Sequence, residues 1–290
     1  MKSIWAIRPS WIVARMTFQE AIRRRIVLTG LILGVLFLIV FSMGFHFIST
    51  EVAREEARDG GGAASNIMLA EMSNFLIQAG LYAVTFLSVA MGALLSADTL
   101  AGEINSGSIQ TILTKPIRRS NVVFGKWLGF AALLGLYALL MAGGTVLSVF
   151  LQAGYLPRNL LAGLSLIYLE ALLIMTISLA GSSAMPALAT GGMVFGLYGL
   201  AFLGGWIEQI GSVFNNPTAV QIGIITSLLI PTESLWRRAA YEIQSPLASA
   251  MGISPFAAFS VPSILMVLYA VAYLVVVFVI AVSTFQRRDI

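Results

Sequence analysis

The chain has 290 residues, of which 58% are hydrophobic and only 10% charged, with a formal net charge of +4. Soluble domains carry roughly 25% charged residues, so this composition, with a mean hydropathy of +0.91, excludes an ordinary water-soluble globule and indicates an integral membrane protein. Several apolar runs reach the ~20 residues that cross a bilayer core as helix, about twice what a barrel strand needs, so an all-α bundle is expected rather than a barrel. The sequence has no cysteine, which removes disulfide frameworks and thiolate metal sites from consideration.

In chain order, residues 1–25 read as an amphipathic helix. Trp5, Ile7, Trp11, Ile12, Met16 and Ile22 alternate with Arg8, Arg15, Gln19, Arg23, Arg24 and Arg25. A basic, tryptophan-bearing helix suits the membrane–water interface, with arginines toward anionic headgroups; a solvated leader is the alternative. No cleavable signal is expected, because no short apolar core with a small-residue cleavage site follows Met1. Residues 26–290 then form the membrane domain. Its six expected spans cover about 26–48, 75–96, 122–151, 161–182, 187–206 and 263–285.

Two polar interruptions stand out. The first, 97–121, carries Asp98, Glu103, Lys115, Arg118 and Arg119, with Gly102, Gly107 and Pro116 as punctuation. Ser106-Gly107-Ser108 reads as a turn with a helix cap, and Ser108–Thr114 as a short amphipathic helix. Pro116 stops it, since proline disfavours the helical state in the residue before it. Ser120 is then the expected cap of the third span. The result is a transverse helix between two spans; an ordinary basic loop is the competing reading. The second interruption, 207–262, is broken by Pro217, Pro231, Pro246, Pro255 and Pro262 into pieces too short to span. Val220–Ile230 and Pro246–Ser260 are apolar enough to re-enter part way, provided that protein or a cavity covers their irregular backbone. A seventh span over Ala219–Ile230 competes, but about twelve residues are too few.

Six spans put both termini on one side. Of the seventeen Lys and Arg residues, twelve fall in the leader, in 97–126 and in the tail. The remaining five are Arg54, Arg58, Arg158, Arg237 and Arg238. The positive-inside rule therefore places both termini and 97–121 in the cytoplasm of a cell (inner or plasma) membrane protein, and 207–262 outside.

Enzymatic readings find little support. With one histidine and no cysteine, nucleophile–base pairs and a His-ligated zinc site have almost no candidates. No P-loop pattern occurs, so no nucleotide site of that kind is expected in this chain. No catalytic, cofactor or metal residues are assigned, and no nucleic-acid partner. His46 falls near a membrane boundary and reads as packing. Glu170 lies some ten residues into its span, and an ionisable group there is by default a functional candidate, here for a transport pathway. Gly192–Gly196 is a literal GxxxG, which permits close helix approach within the chain or between two copies.

The stretch GEINSGSIQTILTKPIRRSNVVFGKWLG, Gly102 to Gly129, resembles the cytoplasmic loop between spans two and three of ABC-2 type ABC transporter permeases. A second run, Ile230-Pro231-Thr232-Glu233-Ser234-Leu235-Trp236-Arg237-Arg238-Ala239, is similar to permeases grouped with the membrane subunit of the nitrous-oxide-reductase maturation transporter. The resemblance implies an ABC-2 (type V exporter-like) permease fold of six transmembrane helices with an N-terminal interfacial helix. It further implies a coupling helix docked on a separate ATPase, with ATP-Mg bound by that partner, two ATPase copies and two permease copies. Carried onto this sequence, Glu103, Gly107, Ile109, Ile112, Leu113, Pro116, Arg118 and Arg119 become the ATPase-coupling positions. The function so implied is a permease subunit coupled in trans to ATP hydrolysis. The alternative is a non-transporting membrane component that passes ATPase-driven motion to an extracytoplasmic partner, for example in metalloenzyme maturation.

Overall fold

The computed structural model describes residues 2–58, 63–105, 118–247 and 261–287, and these fold as helices joined by short turns, with no strand among them. The helices are α1 (Lys2–Ile22), α2 (Arg25–Arg58), α3 (Ala63–Ala97), α4 (Thr99–Asn105), α5 (Arg119–Ala153), α6 (Leu160–Ala184), α7 (Ala187–Val213), α8 (Pro217–Leu229), α9 (Thr232–Ile243) and α10 (Ile264–Arg287). Six stretches are long and apolar enough to cross a membrane: Arg25–Arg54, Ile67–Gly102, Arg119–Ala153, Leu160–Ala184, Ala187–Val213 and Ile264–Arg287. The all-α, six-span architecture is thus present.

Helix α6 stands at the centre. It is apolar on every face, as a helix surrounded by protein must be, and it buries Leu166, Ile167, Ala171, Leu173, Ile174, Met175 and Leu179. It packs against α3, α5, α7, α9 and α10. Helices α2 and α10 are peripheral. Ile32, Leu36, Val40 and Phe47 of α2, and Leu265, Leu268, Val275 and Val279 of α10, are all exposed, as side chains meeting acyl chains would be.

Hydroxyl and indole groups knit the core where no water would satisfy them. Ser178 donates to the Ala93 carbonyl at 2.7 Å, Ser96 to that of Met175 at 3.1 Å, and Tyr168 to that of Ala131 at 2.8 Å. The Trp127 indole donates to Thr176 at 2.9 Å. Such bonds between membrane helices are worth about 0.6–2 kcal/mol each.

At one end of the bundle, α1 lies along the start of α5. Its buried face is Ser10, Ala14, Thr17 and Ala21, while Trp11, Ile12 and Met16 point outward. The approach depends on two glycines. A methyl carbon on Gly125 would stand 2.6 Å from the Ser10 carbonyl oxygen, and one on Gly129 would stand 2.7 Å from that of Ala14. Both distances are too short for any side chain. Helix α5 itself begins at Arg119, flanked by Arg118 in extended conformation with no side-chain cap. The expected Ser120 cap is therefore corrected: Ser120 already lies inside the first turn, too late to accept from it.

The opposite end is closed by α8 and α9. The Asn216 side chain accepts from the Thr218 and Ala219 amides, and Pro217 opens α8 where no amide is needed. Ile230, ahead of Pro231, is extended, as the residue before a proline prefers. The chain turns there, so α8 and α9 meet at 104°. Thirteen residues make only about 20 Å of helix, short of the ~30 Å hydrocarbon core, and α8 turns back after running along α7.

Replacing Gly129 by Leu is expected to lift α1 from α5, lowering stability by about 1–3 kcal/mol. The variant should unfold at lower temperature in detergent and expose α1 to protease, with the six spans still inserted.

Candidate functional site

Helix α9 buries charged and polar side chains together with apolar ones. Thr232, Glu233, Ser234, Leu235, Trp236, Arg237, Ala239, Ala240 and Ile243 are all buried. Arg237 is 2% exposed, and both guanidinium ends meet the Glu208 carboxylate of α7 at 2.6 and 2.8 Å. This two-point geometry is the strongest that the pair can adopt. Ser227 and Ser234 accept from the same Nη2 at 3.4 and 3.5 Å.

Small residues let these charged side chains into the bundle. A methyl group on Gly205 of α7 would collide with the Glu233 side chain, and one on Gly223 of α8 with that of Glu208. Gly204 and Gly211 likewise leave room for Thr226 and Ala219 of α8. Glycines 192 and 196 of the GxxxG pattern do something else. Nothing among the described residues lies within 4 Å of where their side chains would begin, and both are exposed, so these two glycines are not at a close helix contact among the described residues.

Around this core runs a ring of hydrogen bonds at the same end. Asn74 of α3 donates to Tyr155 at 2.8 Å and to the Ile243 carbonyl at 3.4 Å, and it accepts from Gln78 at 3.0 Å. Burial holds the Tyr155 phenol above its ordinary pKa. Ser245 donates to both Glu71 oxygens at 2.7 and 2.8 Å. Glu242 accepts from Arg238 at 2.6 Å and from Asn159 at 3.0 Å, and Arg238 also reaches the Pro262 carbonyl at 3.3 Å. Helix α9 is thereby tied to α3, to the turn after α5, and to the approach to α10.

Glu170 lies within α6 and is 1% exposed. Its Oε2 has no hydrogen-bond partner among the described residues. Glu233 of α9 is close enough to act on it electrostatically, and Glu170 in turn acts on Tyr82 of α3 and Tyr198 of α7. The Trp206 indole bonds to the Tyr82 hydroxyl, and the Tyr82 ring packs 4.8 Å from that of Trp236. Those two tyrosines also line a cavity of about 600 Å³ between α2, α3 and α7, whose other walls include Leu33, Phe37, Phe86, Phe195 and Phe202. Glu170 therefore sits one layer behind an aromatic cavity wall.

The positions of the 97–121 stretch divide. Gly107, Ile109, Ile112, Leu113 and Pro116 lie outside the described residues, and Glu103 ends up on the last turns of α4. Arg118 precedes α5, and Arg119 opens it while donating to the Gln286 carbonyl of α10 at 3.3 Å. Helix α4 follows α3 after Asp98 and is anchored by Leu100, which is fully buried with Val123, Leu179 and Phe285. The described ends of the stretch are thus fixed to α5, α6 and α10. His46 lines a second cleft of about 450 Å³ with Ser42, Met43, Phe47, Ser148, Leu151 and Gln152. No group of three or more metal-ligating side chains occurs among the described residues.

Sequence reasoning assigned Arg237 and Arg238 to a basic outer loop and gave Glu208, Glu233, Tyr82 and Tyr198 no role. The available signal was Glu233 and Arg237 at i and i+4 within an otherwise apolar, proline-delimited segment.

Removing one partner of a buried pair leaves a bare charge, which costs about 3–5 kcal/mol, whereas replacing both by apolar residues is often neutral. Arg237→Leu or Glu208→Leu alone should sharply lower the unfolding temperature in detergent. The double variant should recover most of the loss.

The family model described as ABC-2 family transporter protein matches residues 11–290. The chain is also similar to the "Probable ABC transporter permease protein NosY" of Pseudomonas aeruginosa, with 25% identity over 153 residues, 53% of this chain and 50% of that protein. The chain thus spans about half the length of the curated relative it matches. With six apolar spans, a helical bundle throughout the described residues and a family match over nearly its whole length, this chain belongs to the ABC-2 family of transporter proteins.

Proposed function

We propose that this chain is the permease subunit of an ABC transporter, driven by ATP-Mg hydrolysis on a separate ATPase subunit. The observation that carries this reading is the family match over residues 11–290, which takes in both the 97–121 stretch and the α8–α9 closure. Two ATPases dock on two permease copies in the cell membrane, with both termini cytoplasmic. Contact is made through Glu103, Gly107, Ile109, Ile112, Leu113, Pro116, Arg118 and Arg119. What supports this placement is mechanical: Leu100 and Arg119 fix both ends of the stretch to neighbouring helices, so a push on it reaches the bundle instead of being absorbed by slack. The translocation path runs between the copies, where α2 and α7 present apolar faces and the Tyr82–Tyr198 cavity opens between them. Glu170 serves that path from behind its wall.

A second reading is that the chain passes ATPase-driven motion to an extracytoplasmic partner without carrying a solute. It is favoured by the end of the bundle formed by α8 and α9, which the Glu208–Arg237 pair and the surrounding hydrogen bonds close firmly. Reconstitution into vesicles with the ATPase encoded beside it separates the two. ATP-dependent solute movement supports transport; ATP hydrolysis stimulated by the permease with no flux of any solute overturns it in favour of the second reading.

Gly107→Val and Glu103→Ala test the docking stretch directly. Each should weaken ATPase co-purification by about tenfold or more, the equivalent of ~1.4 kcal/mol, with unchanged membrane insertion. Full recovery of the ATPase with both variants would remove the stretch as the docking site.

A further inference from the structure

Glu208 and Glu233 lie near one guanidinium, that of Arg237, Glu170 lies within electrostatic reach of Glu233, and all four residues are buried to 4% exposure or less. Both terminal nitrogens of Arg237 are committed to the two Glu208 oxygens. That pair is neutral as it stands. Glu233 receives the field of Arg237 from one turn away on the same helix, offset by the Glu208 carboxylate. Glu170, on α6, faces Glu233 and has an unpartnered Oε2. The remaining ionisable groups in its surroundings are Tyr82 of α3 and Tyr198 of α7, both phenols that bear no charge at neutral pH. No group of α5 or α10 among the described residues contributes to the field at either carboxyl.

Two carboxylates cannot both stay ionised side by side, shielded from water, with no free cation between them. A metal ion is a poor solution, since no group of three ligating side chains forms here among the described residues. A proton is the ligand that fits: it adds to one carboxylate oxygen, neutralises it, and breaks no other bond.

We propose that Glu170 and Glu233 form a buried proton-binding site bridging α6 and α9, with Glu170 holding the proton while α9 is docked. The site is built only when α9 is seated, because Glu233 is carried on α9, its side chain packed against Gly205 of α7, and α9 packs on α6 where Gly163 meets Ile243 and Ala239. Proton occupancy and the seating of the α8–α9 closure are therefore linked. The bound proton favours the seated state, and the seated state loses stability as pH rises and unseated Glu170, exposed to water, ionises. This inference does not depend on whether the chain carries a solute.

The test is infrared spectroscopy of the purified full chain in detergent, with pH titration and exchange into heavy water. Wild type should show a protonated carboxylic C=O band at neutral pH that Glu170→Gln abolishes. Glu233→Gln should keep that band but titrate it at lower pH, because the neighbouring carboxylate that opposes ionisation has gone. Thermal unfolding gives an independent readout. Glu170→Gln, permanently neutral at that position, should lose less unfolding temperature than wild type between pH 6 and 9, so the gap widens with pH. In that variant only Glu233, pushed up by burial to about 7, still ionises. If Glu170→Gln fails to accumulate, the shifted titration in Glu233→Gln carries the test. A wild-type spectrum with no such band overturns the proposal. So does a band that survives Glu170→Gln, or a titration unmoved by Glu233→Gln.

Discussion

A guanidinium–carboxylate pair shut away from water has to be complete or it is ruinous. In the Arg237–Glu208 pair both terminal nitrogens of the fork are engaged, with two serines beside them, while the buried Nε has no partner among the described residues. That one requirement dictates much of the local backbone. Glu208 is on α7 and Arg237 on α9, so α8 must fold back along α7 before the chain turns at Pro231. The reversal requires α7 and α8 to approach closely, which is why Gly204, Gly211 and Gly223 sit at their contacts, while Gly205 leaves room for Glu233 of α9. A buried pair of this kind contributes little net stability compared with an apolar substitute. What it contributes is uniqueness: few other placements of α9 would leave Arg237 paired.

How much of this could be read from the sequence follows from the range of each signal. Mean hydropathy and run length belong to single segments and need no partners, so the helical class and the six apolar spans were visible at once. The prolines that cut 207–262 into pieces are also local, and they foretold that α8 would be too short to cross. The Arg237–Glu208 pair spans 29 positions and exists only because α8 turns back. Counting charges by loop therefore placed Arg237 among the basic residues of the outer loops, when its side chain is only 2% exposed. The glycines make the same point. Gly192–Gly196 has the spacing of a packing motif, yet nothing among the described residues meets its two glycines, while Gly205 and Gly223 pack tightly without that spacing. Spacing says which residues share a face; it does not say what that face meets.

The other end of the bundle is organised by different means. There α1 is held to α5 by close backbone approach at Gly125 and Gly129, and its large apolar side chains are left outward beside basic residues. A helix docked by its small side chains, with Trp11 and Arg15 left exposed, has the pattern that suits a membrane–water interface. Arg119 and Phe285 then join the start of α5 to the end of α10. This end is therefore a bound cluster of α1, α4, α5, α6 and α10.

Helix α6 is the element that both ends share. Near one terminus Leu179 packs with Leu100 of α4, and near the other Gly163 admits Ile243 of α9. Glu170 lies between these contacts, facing Glu233. A displacement applied to α4 thus meets α6 directly, and α6 in turn packs along α9, with Gly163 against Ile243 and Ala239 and Glu170 within electrostatic reach of Glu233. The apolar packing tolerates sliding at small cost, since dispersion changes gradually with distance. A proton held between Glu170 and Glu233, as proposed above, would not, because in a low dielectric any change in proton occupancy or separation alters the energy steeply. On that proposal, the route through Glu170 is the place where a small shift of α6 would be converted into a discrete change at α9.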